Sequence, residues 1–118
     1  MRGLTILVTG PDPARFRSAL ELAATQAALG ARTRLFLQAA AVPLAAISCP
    51  DDARHAAAGL PTRTELIDLS LVLGARILLC QSGLALAGLD MAAFDPRLEA
   101  GGLTALLSGL GEDRLVAF

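Results

Sequence analysis

The sequence predicts an α/β fold, with a mostly parallel sheet and helices on both faces. Two observations predict it. Short runs rich in β-branched and aliphatic residues recur at 5–9, 33–37, 77–80 and 114–118, and segments with helical apolar spacing lie between them. Strands that alternate with helices join through right-handed crossovers, which makes neighbouring strands parallel. The second observation is composition. Hydrophobic residues make up 54% of the chain, mostly Ala and Leu, and the aromatics are four Phe with no Trp or Tyr. A core of small and aliphatic side chains suits helices packed close to a sheet. The 118 residues suffice for one domain with one core, spanning 1–118, and no repeat or linker interrupts them.

The first strand, residues 5–9, ends at Gly10-Pro11, and Asp12 and Pro13 then carry the signature of an N-cap and a first helical position. Phe16, Leu20, Ala23 and Ala27 recur at helical spacing, while Arg17, Glu21 and Thr25 form a polar stripe. Gly30 is a natural stop, and residues 33–37 read as the second strand. The Ala-rich stretch 39–47, broken by Pro43, predicts a short helix or helical turn. Residues 49–59 form a connecting excursion with a helical turn at 53–58. Thr62 and Glu65 have capping-box spacing, so a helix starts there and runs to Gly74. Leu66, Leu69 and Leu73 mark its inward face, and Ile67, Leu71 and Val72 widen the apolar surface beyond one stripe. A helix this apolar is deeply buried or part of a subunit interface. The third strand ends at Cys80. A small-residue helix around 84–89, a loop near Asp95-Pro96, a helix with Leu103, Leu106, Leu107 and Leu110, and a closing strand at 114–118 complete the chain.

A formal net charge of -1 argues against a general binder of nucleic acid or acidic membranes. The apolar run 4–8 is too short for a signal-peptide core, and the stretch 35–49 is interrupted and too short to span a bilayer. A cytoplasmic location is expected, and two cysteines in such a chain are expected as free thiols.

Residues 76–83, Arg-Ile-Leu-Leu-Cys-Gln-Ser-Gly, are the most informative stretch. Ligand and reaction sites of open parallel sheets lie beyond the carboxyl ends of the strands. Cys80 sits at such an end, where it meets the first amides of the following helix, whose partial positive charge favours a thiolate. The commoner fate of such a cysteine is that of a small core hydrophobe. The other reading is a nucleophile or persulfide carrier, which needs one sulfur and no adjacent general base. Gln81, Ser82 and Gly83 open the next segment, and Gly10 and Asp12 follow the first strand at the same rim; these are the candidate binding residues. Gly10-Pro11-Asp12-Pro13 is no phosphate loop, because two prolines remove amide donors, and a turn with a helix cap is its simpler reading. Cys49 and His55 are too scattered from Cys80 to make a zinc site, so neither metal nor cofactor is expected.

Four stretches together resemble the DsrE/DsrF-like (YchN-like) family of small α/β proteins. They are Leu7-Val8-Thr9-Gly10-Pro11-Asp12 with its helix, Thr33-Arg34-Leu35-Phe36-Leu37, Arg76-Ile77-Leu78-Leu79-Cys80-Gln81-Ser82, and the closing Glu112-Asp113-Arg114-Leu115-Val116-Ala117-Phe118. The resemblance implies a three-layer α/β/α domain on a parallel sheet of about five strands. It also implies homotrimers or homohexamers and, in the sulfur-relay branch, an active cysteine that carries persulfide sulfur between donor and acceptor proteins. Cys80 alone maps onto that position. It is followed here by Gln-Ser-Gly, with no second cysteine close by as in some relatives.

Two functions follow. The first is a sulfur carrier or sulfurtransferase-like protein acting through Cys80. The second is a non-catalytic oligomeric binding module with a small-ligand or partner site at subunit junctions, suggested by the apolar helix 66–73. A thiol peroxidase would need an arginine beside the thiolate, and Arg76 stands at the wrong end of its strand.

Overall fold

The computed structural model describes residues 1–47 and 52–118. Cys49 therefore lies outside the described residues. The strands are β1 (Leu4–Val8), β2 (Thr33–Leu37), β3 (Arg76–Cys80), β4 (Glu99–Gly101) and β5 (Arg114–Ala117). They form one sheet in the order β4-β3-β2-β1-β5, and each neighbouring pair is parallel. The helices are α1 (Pro13–Ala28), α2 (Asp52–Ala57), α3 (Arg63–Val72), α4 (Gln81–Ala87) and α5 (Leu103–Ser108), with 3₁₀ turns at Ala39–Ala45 and Met91–Ala93. From β1 to β4 the chain steps across the sheet in one direction, and from β4 to β5 it returns to the far edge. Right-handed crossovers then place α1 and α3 over one face and α5 over the other.

Local signals account for most of these elements. Asp12 caps α1 by accepting the Ala14 N–H at 2.9 Å, with Pro13 in the first turn. Thr62 and Glu65 close a full capping box on α3. Glycine ends α1 because Gly30 adopts a left-handed φ of 85°, which a side chain would resist. Strand register then builds the core. Ile6, Leu35 and Ile77 lie side by side, as do Val8, Leu37 and Leu79, and all six are fully buried. They join Phe16, Leu20 and Ala23 of α1 and Leu66 and Ile67 of α3 in one cluster. Alanine at 19, 23 and 27 lets α1 approach the sheet closely.

Two expectations need correction. The inward stripe of α3 is Arg63, Leu66, Ile67 and Ser70; Leu69 and Leu73 are exposed. Polar residues hold inward positions because each finds backbone acceptors. Ser70 donates to the Leu66 carbonyl at 2.8 Å, and the Arg63 guanidinium donates to the carbonyls of Leu44 and Ala46. The second correction is at the C-terminal side of β3. The helix begins at Gln81, directly off the strand, and the edge strand β4 lies between the Asp95-Pro96 loop and α5, where no strand is expected from the sequence. A paired Arg76 and Glu99 hold β4 to β3, with Nε–Oε2 at 2.9 Å and Nη2–Oε1 at 2.8 Å.

The amino ends of the central strands carry a buried polar knot. Thr5 Oγ1 donates to Asp113 Oδ2 at 2.9 Å and accepts from Arg34 Nη2 at 2.9 Å. Arg34 Nη2 also reaches the Leu106 carbonyl at 3.2 Å, which ties α5 to its face of the sheet. Asp113 fits only because residue 3 is glycine: a Cβ there would stand 2.1 Å from Asp113 Oδ1.

Candidate functional site

Parallel register determines what meets at the carboxyl edge. Leu37 of β2 is level with Leu79 of β3, so the residues just beyond β2 lie beside Cys80, the last residue of β3. Gln38 leaves β2 in extended geometry, and Ala39 then turns back with φ 52°, the one non-glycine residue at positive φ among the described residues. That conformation costs a side-chain-bearing residue about 1 kcal/mol or more. It holds the Ala39 N–H toward the Cys80 sulfur and the Ala39 carbonyl against α4. Gly83 makes the approach possible: a Cβ at 83 would lie 2.7 Å from the Ala39 oxygen and 2.5 Å from Val42 Cγ2.

Cys80 is the N-cap residue of α4 but makes no conventional side-chain cap bond. Its sulfur is instead influenced by donors from two segments. Burial alone would raise the thiol, and the amides of Ala39, Gly83 and Ser82 together with the Ser82 hydroxyl outweigh it, holding the thiol below its ordinary value of 9.0. The residue packs into the main core cluster and keeps 9% of its surface in contact with solvent. It thus combines a core position with an environment that favours the anion.

Of the sequence-named candidates, Ser82 and Gly83 act on the thiol. Gln81 is exposed in the first turn of α4 and is not among the groups acting on the thiol. Gly10 and Asp12 follow β1, two strands from β3. Asp12 is engaged in capping α1 and stands 3.9 Å from Arg15, so it serves helix geometry there. Arg76 lies at the opposite end of β3 from Cys80. Ala39 is the residue that sequence reasoning missed. Among the described residues, no group of three or more His, Cys, Asp or Glu side chains is placed to hold a metal ion, and no helix is long and apolar enough to cross a membrane.

No family model matches the sequence, and no curated protein matches it by sequence. Solved structures do match it in shape. MTH1491 from Methanobacterium thermoautotrophicum, a protein of unknown function, aligns with a TM-score of 0.76 at 10% identity, covering 100% of both chains. The YchN protein from E. coli aligns with a TM-score of 0.75 at 19% identity, again over 100% of both chains. The fold is YchN-like. BT1422 from Bacteroides thetaiotaomicron, another protein of unknown function, aligns with a TM-score of 0.66 at 13% identity over 97% of this chain and 94% of its own. At such identities the likeness concerns the fold, and chemistry is argued from the site.

Proposed function

We propose that the protein belongs to the DsrE/DsrF-like group and relays sulfur as a persulfide on Cys80. The supporting observation is the place of Cys80 at the carboxyl edge of the sheet, where the amides of Ala39, Gly83 and Ser82 and the Ser82 hydroxyl favour its anion. The Cys80 thiolate attacks the outer sulfur of a donor persulfide, R–S–SH. A new sulfur–sulfur bond forms as the donor's own breaks, and R–S⁻ leaves as a thiolate. An acceptor thiolate then attacks the outer sulfur on Cys80 and returns Cys80 to its starting state. No net oxidation occurs, and neither metal nor cofactor enters the proposed sequence. The amides that favour the Cys80 thiolate also make it a good leaving group in the second half. The donor and acceptor are other proteins or small thiols, and the relay takes place in the cytoplasm.

The test uses a Cys49→Ser background, so that one thiol remains. Incubation with glutathione persulfide should add the mass of one sulfur atom to the peptide holding Cys80, and a thiol acceptor should remove it. No such gain, under conditions that load a known carrier, refutes the proposal.

A second reading has its own support. Leu69 and Val72 of α3, Leu73 at its C-cap and Leu86 of α4 are exposed, Leu86 at 85%. Such surface favours self-association into a homotrimer or homohexamer that binds a ligand or partner without catalysis. In that case Cys80→Ala leaves ligand or partner binding intact, whereas in the relay it abolishes transfer.

A further inference from the structure

A separate hollow lies at the amino end of α1. A cavity of about 250 Å³ opens between the first turn of α1, the short α2 and the start of α3, lined by Arg17, Ser18, Arg54, His55 and Arg63. Cys80 does not line it. The chain holds ten arginines and a formal charge of -1, so gathering three of them around one small hollow is a local departure from its average.

Among the described residues, the nearby carboxylates do little to neutralise these cations. Asp12 caps α1 through the Ala14 amide. Asp52 accepts the Arg63 backbone N–H at 2.8 Å and the Thr64 hydroxyl at 3.0 Å. Glu21 reaches Arg17 Nε at 3.3 Å from an exposed position. Among the described residues, neither Arg54 nor Arg63 makes an ion pair. Arg63 is 93% buried by its 7% exposure, and its two Nη atoms are held by the Leu44 and Ala46 carbonyls. Among the described residues, its charge therefore meets backbone dipoles and no carboxylate in an ion pair. Two buried side-chain nitrogens lack a hydrogen-bond acceptor among the described residues, Arg17 Nη1 and Arg63 Nε, and both belong to residues lining this cavity. A buried donor without an acceptor costs about 1–3 kcal/mol, and more when charged. Two such donors on residues lining one cavity are a coherent demand for an anion.

We infer that this cavity binds a small oxyanion of the phosphate or sulfate type, either free or as the anionic end of a small metabolite. Arg17 and Arg54 supply direct donors, Arg63 supplies fixed positive charge from the floor, and the α1 macrodipole adds a favourable field at its amino end. The volume is below that of pockets for drug-sized ligands, which limits the occupant to a compact group.

Titration calorimetry in a buffer free of phosphate and sulfate tests this with the full chain. Sodium phosphate and sodium sulfate should each bind saturably at one site, while sodium chloride at matched ionic strength should not. Arg54→Gln, an exposed change, should weaken phosphate binding by about tenfold, and Arg17→Gln should do at least as much. Cys80→Ala should bind as the parent does, which separates this inference from sulfur transfer. Phenyl phosphate distinguishes the sources: tighter binding than inorganic phosphate identifies a metabolite end, and equal or weaker binding identifies the free anion. Lack of saturable binding of either anion overturns the inference. So does phosphate binding that Arg17→Gln and Arg54→Gln leave unchanged, since the anion would then sit elsewhere.

Discussion

Gly83→Ala probes the site through one added methyl group. The new Cβ would lie 2.5 Å from Val42 Cγ2, 2.7 Å from the Ala39 oxygen and 3.2 Å from the Ala39 Cα. A side-chain methyl can rotate away, but a carbonyl oxygen and a Cα move only with the backbone. Overpacking of this kind costs about 1–3 kcal/mol. Alanine in place of glycine inside a helix would by itself favour folding by about 0.5–1 kcal/mol. The net loss is therefore about 1–2 kcal/mol, or a fall of about 4–8 °C in Tm for a domain of this size. The displaced backbone is also the one whose amides face Cys80. As Ala39 and Gly83 shift, their donors withdraw, and the thiol rises toward its ordinary value of 9.0. Thermal denaturation measures the first effect, and the pH dependence of iodoacetamide alkylation in a Cys49→Ser background measures the second. A variant as stable as the parent, with an unchanged alkylation profile, would refute the claim that close approach at residue 83 arranges the site.

Three further outcomes follow. The lowered Cys80 pKa makes ionisation easier in the folded chain than in the unfolded one, so its stabilisation is absent at low pH, grows as pH rises through the folded value, and levels off above 9.0. Chemical denaturation should accordingly show the parent gaining on Cys80→Ser as pH rises, and a pH-independent difference would exclude the effect. Asp113→Ala leaves the buried Arg34 without its carboxylate and Thr5 without its acceptor; the expected loss is about 3 kcal/mol by urea denaturation, partly recovered when Arg34→Met is added. Thr62→Ala removes half of the α3 capping box and should cost about 1 kcal/mol, with faster amide exchange confined to the first turn of that helix.

What the sequence reveals divides by the range of the interaction that writes it. The caps of α1 and α3 and the stop at Gly30 are set by residues within four positions of one another, and all were legible. β1, β2 and the end of β3 were legible because an apolar run between turn residues is itself local. β4 was not, since Glu99-Ala100-Gly101 has no strand character of its own and exists by pairing with β3. The phase of α3 was misread because Arg63 and Ser70 gain burial through backbone acceptors that a pattern of apolar residues does not reveal. At the site, Ser82 and Gly83 follow Cys80 directly and could be named. Ala39 could not, because alanine carries no signal for positive φ and its place beside the thiol comes from the β2–β3 register. Pairing those two strands on paper, Leu37 opposite Leu79, would have pointed to it. The buried role of Asp113 is hidden for the same reason, as its partners Thr5 and Arg34 lie far away in the chain.

The two margins of the sheet differ in how they would receive another strand. At one margin β4 offers only three residues, and its glutamate is clamped by Arg76, so an incoming chain finds few free backbone groups beside a fixed charge pair. At the other, β5 presents a longer run with Leu115 half open to water. Any growth of the sheet, whether by native assembly or by misfolding, would start from the β5 side. A lysine at Leu115 is the economical way to block it.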